Sequence, residues 1–185
     1  SYSDCTFATG SNNIAYASNA FATGIRNVAG SSFSTVFGRD NFSGYADVTE
    51  GYGNKNYGTY SHIEGERNSL TCTSEGTHIE GAGNIVDGSH KHVEGTNNIS
   101  KGNELSHTEG NGNTNPPELS HVEGQSNKIN EGATGSHTEG KNNIVRQWSS
   151  WSHTEGVDNI IDGLNKNATF YKLFNFYVSD INYKS

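Results

Sequence analysis

Apolar residues in this chain stand singly between polar ones, in short alternating runs, and a glycine or other turn residue breaks the pattern roughly every seven positions. Alternation of that length predicts strands of about five residues, and turn chemistry at that density excludes helices. The runs are copies of one another. Ser-His-x-Glu-Gly stands at 61–65, 106–110, 120–124, 136–140 and 152–156, and THIEG at 77–81 and KHVEG at 91–95 differ only in the first residue. Looser versions precede them: TFATG at 6–10, AFATG at 20–24, STVFG at 34–38 and DVTEG at 47–51. The eleven copies end on glycines spaced 13 to 16 residues apart, from Gly10 to Gly156.

Three residues after every one of those glycines comes asparagine: Asn13, Asn27, Asn41, Asn54, Asn68, Asn84, Asn98, Asn113, Asn127, Asn143 and Asn159. All length variation therefore falls between the Asn segment and the next Ser-His. Each repeat reads as two short strands and two corners, Gly-x-x-Asn forming the tight one. Glycine there permits positive φ, and asparagine tolerates the left-handed region. In stacked coils the asparagines are expected to form a ladder, each amide bonding the one above and below. The fold class expected is all-β: a narrow parallel β-solenoid of about eleven coils over residues 1–163, a rod on the order of 50 Å long at ~4.8 Å per coil. Residues 164–185, LNKNATFYKLFNFYVSDINYKS, leave the repeat and are the most hydrophobic stretch. They are expected to cap the last coil, to dock another chain, or both.

Within the pentapeptide, the middle position is Ala8, Ala22, Val36, Thr49, Ile63, Ile79, Val93, Thr108, Val122, Thr138 and Thr154, small or β-branched in every copy. It is the expected inward face, with Ile14, Val28, Phe42, Ile85, Ile99, Ile144 and Ile160 as the opposite wall. Outward, one row runs Phe7, Phe21, Thr35, Asp47 and then His62, His78, His92, His107, His121, His137 and His153. The row beside it runs Thr9, Thr23, Phe37, Glu50 and then Glu64, Glu80, Glu94, Glu109, Glu123, Glu139 and Glu155. Three readings of this strip are open: a structural ladder, buried between chains and bonding across them; a solvated face; or a row of metal sites. A metal site needs three or four convergent ligands, which a two-residue strip supplies only where chains meet, so no metal site and no cofactor is expected. A His column held beside Glu is expected to have its pKa raised.

Composition narrows the reading. Only 30% of the 185 residues are hydrophobic, 17% are charged, the net charge is −8, and there are 23 Gly and 2 Pro. That cannot fill a thick core, yet eight Phe, nine Tyr and two Trp are spread along a chain too poor in charge to be disordered. The net negative charge argues against a nucleic-acid partner, and no apolar run is long enough to insert in a membrane as a helix. With no Met, Ser1 is no initiator, so a processed form or a fragment is expected. Two or three inward side chains per coil make a thin core, so association of several chains is expected.

The repeat Ser-x-x-x-Gly followed by x-x-Asn, over residues 5–163, resembles the head repeats of YadA-like trimeric autotransporter adhesins. Its SHxEG form is most similar to repeats of bacteriophage tail fibres and of some large-virus and Gram-positive surface proteins. The resemblance implies a left-handed parallel β-roll packed side by side as a homotrimer. In adhesin heads the positions matching His and Glu here are usually aliphatic and lie towards neighbouring chains; Phe7, Phe21 and Phe37 follow that pattern.

Local departures complete the picture. VRQWSSWS at 145–152 carries the only tryptophans, Trp148 and Trp151, candidates to stack on a sugar ring or anchor a partner, or to cover the coil edge. NTNPPEL at 113–119 places two prolines in a loose corner. Sequons stand at Asn41, Asn98 and Asn167. Cys5 and Cys72 lie several coils apart, too far for an internal bridge, so each is a free thiol or a bridge between chains. No Walker loop, CxxC pair, HExxH or G-x-S-x-G occurs. The chain is therefore expected not to be an enzyme. The expected function is a trimeric structural or adhesive fibre, extracellular or on a virion surface, that meets a host-cell glycan or protein receptor. A further fibre or particle component is expected at its N-terminal end. The alternative is a glycan-degrading tail spike with carboxylates between chains.

Overall fold

The computed structural model describes residues 5–71, 74–102 and 104–162 and the strand Thr169–Lys172. Those residues form a parallel β-solenoid of about eleven coils with no helix. One sheet has twelve strands, running from Phe7–Ser11 through His153–Val157 to Thr169–Lys172, and the other has eleven, from Ile14–Ala15 to Ile160–Ile161. Every strand pairs in parallel with its equivalent one coil on, so like residues stack: His107 on His121, Glu109 on Glu123, Gly110 on Gly124. Strands of the first sheet are mostly five residues long, whereas those of the second are mostly two, as at Val86 with Ile85. Of the C-terminal segment only Thr169–Lys172 is described, and it extends the first sheet in register, Thr169 pairing with His153 and Lys172 with Gly156. The rest of the expected cap lies outside the described residues, as do Cys72 and Asn167.

The tube is held by two facing rows. Ala22, Val36, Ile63, Ile79, Val93 and Val122 come from the first sheet, and Ala15, Ala29, Leu70, Val86, Ile129, Val145 and Ile161 from the second, all essentially without solvent exposure. Thr49, Thr108, Thr138 and Thr154 are buried in the same first row. The second row corrects the expected wall by one residue. Ile14, Val28, Phe42, Ile99 and Ile144 are half-buried, Ile85 and Ile160 are exposed, and the residue after each is the one that points inward. A two-residue strand has no alternation to read, and both of its faces carry aliphatic side chains. Several inward positions are polar, Ser43, Asn56, Ser100 and Asn115 among them. Asn115 Nδ2 donates to the carbonyl of His107 at 3.0 Å and to Thr108 Oγ1 at 3.1 Å, which is how a polar side chain fits a dry tube.

Both corners use the left-handed region in every coil. In Gly-x-x-Asn the ladder glycines have φ between 97° and 114°, and the second left-handed residue is the one before the asparagine rather than the asparagine itself: Arg26, Asp40, Arg67, Asn97 and Ser126 among them. A Cβ on Gly81 would sit 1.9 Å from the carbonyl oxygen of Gly95, so neither conformation nor space admits another residue. The second corner places the residue before each Ser-His in the same region, as at Phe33, Tyr60, Leu105, Leu119 and Trp151.

Candidate functional site

The asparagine row forms a ladder different from a stack of mutually bonded amides. In each coil from Asn27 to Asn159 the backbone N–H donates to the Oδ1 of the preceding coil's asparagine, at 2.8–3.1 Å. The Nδ2 of Asn98 donates to the Glu94 carbonyl at 2.9 Å and to the carbonyl of Gly110 in the next coil at 3.0 Å, and the same pair of bonds recurs along the stack. Direct amide-to-amide bonds are few, one being Asn84 Nδ2 to Asn68 Oδ1 at 3.1 Å. Asn27 through Asn159 are all buried, so the sequons at Asn41 and Asn98 hold amides locked in the wall.

On the outer face of the first sheet, register turns the histidines into one column. Successive ring centroids from His62 to His153 lie 4.6–5.1 Å apart, the spacing of the strands themselves. From His78 to His121 the rings are stacked within 14° of parallel, and Phe7 on Phe21 at 5.0 Å and 11° begins the same column further back. The fourth coil corrects the expected row: Val48, between Thr35 and His62, stands in the column, and Asp47 takes the serine position inside. Each histidine from His78 to His153 approaches the glutamate two residues on, in its own coil, at 3.4 Å for His107 and Glu109 and up to 4.0 Å for His137 and Glu139. These are long contacts between side chains about 32–54% exposed, worth little individually.

The expected rise in histidine pKa is overturned for three members of the column. Burial, and then the charge of the neighbouring histidines, hold His78, His107 and His137 below the usual imidazole value; the nearby glutamates oppose this more weakly. Each of these three rings lies between two others in the stack, so a proton on one repels a proton on the next. The strip offers six imidazole–carboxylate pairs of one geometry, which singles out no unique acid and base for catalysis.

Two ionisable residues occupy the buried serine row. Lys91 is 2% exposed, its Nζ donating to the Lys101 carbonyl at 2.9 Å and to Ser106 Oγ at 2.8 Å, and burial pushes its pKa down to about 8. Asp47 accepts a 2.7 Å bond from the Ser61 N–H, and burial pushes its pKa up to about 6. The signal for both was present in KHVEG and DVTEG, which break the serine position.

The left-handed corner before Ser-His carries a feature that sequence reasoning missed. Phe33, Tyr60, Leu105, Leu119 and Trp151 occupy that one position in their coils, and all are 52–61% exposed. Ala46, Gly76, His90 and Gly135 hold the position in the coils between, so the large side chains stand along one edge as separate groups: Phe33 and Tyr60 joined through the ring of Tyr45, Leu105 and Leu119 in adjacent coils, and Trp151. Read with each pentapeptide rather than with the preceding loop, the residue before Ser would have revealed them. Trp148 is exposed as well, and the Trp151 ring lies against Gly135, where an added Cβ would meet it at 2.5 Å. Cys5 is a free, exposed thiol. No known protein family model matches the chain, and no curated protein does.

Proposed function

We propose that the chain is the shaft or head of a non-enzymatic surface fibre, a homotrimer of parallel rods that projects from a cell or a virion and attaches to a host-cell glycan or protein. The observation that carries this reading is the set of exposed apolar side chains at the corner before Ser-His, Phe33, Tyr60, Leu105, Leu119 and Trp151. Large side chains held in a backbone conformation that disfavours them, and left in water along one edge, are a lateral contact surface. A second chain laid along that edge would cover these side chains and part of the adjacent histidine–glutamate strip, supplying the apolar burial that a thin tube lacks. Trp148 and Trp151, exposed on one loop, are the leading contacts for a sugar ring or a protein partner. A further component of the fibre is proposed to join at its N-terminal end.

Light scattering on the purified chain tests the assembly. Three times 19.9 kDa is expected, with Leu105→Ser combined with Leu119→Ser shifting the mass towards one chain. A wild-type mass of one chain at micromolar concentration overturns the trimer.

A further inference from the structure

The strip ends, on its N-terminal side, in a way that no later coil repeats. Glutamate begins one coil before histidine: Glu50 precedes Glu64 on the strip, but the ring position beside Glu50 is filled by Val48. His62, first of its column, is turned 82° from His78, whereas the next rings stack nearly flat. It is also the one histidine of the column with no carboxylate oxygen within 4.0 Å, while its Nε2, like those of His107, His121 and His137, is buried without a hydrogen-bond partner. One ligand atom from each of Glu50, His62 and Glu64 lies within 4.8 Å of the other two. Among the described residues no other three metal-capable side chains gather so closely, although the same combination of types recurs at Glu64, His78 and Glu80 and in every later coil.

We propose that Glu50, His62 and Glu64 form a binding site for one divalent transition-metal ion of the zinc class. One imidazole nitrogen and two carboxylate oxygens are the donor set such an ion takes, whereas calcium and magnesium prefer oxygen alone. The partly exposed position leaves the remaining coordination places to water or to a group from another molecule. A single chain thus gathers three ligands where the strip terminates, more closely than the same trio gathers in any later coil. The location has a structural use. Val48–Thr49 is the shortest strand of the first sheet, two residues against four to six elsewhere, and the joint between the fourth and fifth coils is carried on past it by the bonds from Glu50 N–H to the Ile63 carbonyl and from Tyr52 N–H to that of Gly65. An ion held by Glu50 on one side of that joint and by His62 and Glu64 on the other staples it, and offsets the repulsion of the paired carboxylates.

The test uses untagged protein stripped with a chelator and titrated calorimetrically with Zn²⁺, with Co²⁺ absorption as a second readout of the ligand set. His62→Phe restores the ring type that Phe7 and Phe21 bring to the column, and Glu50→Gln keeps the side-chain shape at a solvent-accessible position. Circular dichroism establishes that each variant is folded. One Zn²⁺ per chain is expected for the wild type and for the mid-column control His121→Phe. Loss of that ion is expected in His62→Phe and in Glu50→Gln, together with loss of the zinc-dependent rise in melting temperature. No binding by the wild type, retention of binding in both site variants, or an equal loss in His121→Phe would overturn the assignment.

Discussion

Asparagine at the tight corner has a task that no neighbour in the amino-acid set can take over. Its carbonyl must accept from the next coil's N–H while its amide donates to two backbone carbonyls, one in its own coil and one in the next. Aspartate lacks the donors and leucine lacks both functions. Glutamine carries one methylene too many for the space between coils. Asn84→Ala would strand the buried N–H of Asn98 and the carbonyls of Glu80 and Gly95, and is expected to cost roughly 2–4 kcal/mol, measured by chemical denaturation. This residue-level logic was legible in the sequence because it recurs at a fixed offset from glycine. The bonding pattern was not, since an amide stack and an amide-to-backbone ladder demand the same residue at the same spacing. The left-handed neighbour was hidden for a related reason: Arg26, Asp40 and Ser126 share no chemistry that announces positive φ.

At the scale of the strand, the first sheet was readable and the second was not. Five alternating residues fix which side faces inward, and Ile63, Ile79 and Val93 are buried as the alternation requires. Two residues fix nothing, so Ile85 and Val86 differ in exposure without differing in hydrophobicity. The histidine column shows how register converts a mild preference into an electrostatic problem. His78 faces His62, His92, Glu64 and Glu80; His107 faces His92, His121 and Glu109; His137 faces His121, His153, Glu123 and Glu155. Because the folded pKa of these three lies below the unfolded one, the unfolded chain binds more protons as acidity rises. Their contribution is intact above about pH 6.5 and is lost as pH falls through the folded values. The melting temperature is therefore expected to drop between pH 7 and 5, and to drop less in a His78→Phe, His107→Phe, His137→Phe triple variant. Asp47, with its pKa raised to about 6, acts in the opposite sense, and the comparison between the two proteins removes it. A triple variant as acid-sensitive as the wild type would show that the column does not govern this transition.

For the whole molecule, a hydrophobic content of 30% is enough because a tube two side chains wide needs few apolar residues and admits threonine, serine and asparagine beside them. Each coil contacts mainly its neighbours, so stability is a sum over like joints. Excision of residues 111–124, which rejoins Gly110 to Gln125 in register, is expected to leave a folded rod with one cooperative melt; excision of 111–117 alone should abolish folding, as circular dichroism would report. The ladder also gives the two ends of such a rod different characters. Each asparagine from Asn13 to Asn143 reaches forward: its Oδ1 and one Nδ2 bond belong to the coil that follows it in the chain. A stack growing at its C-terminal end therefore always offers the incoming coil a side chain already fixed in place by the residue four positions before it. A stack growing at the other end offers only bare backbone. The sequence leaves the ribosome in the order that keeps the template ahead of its copy.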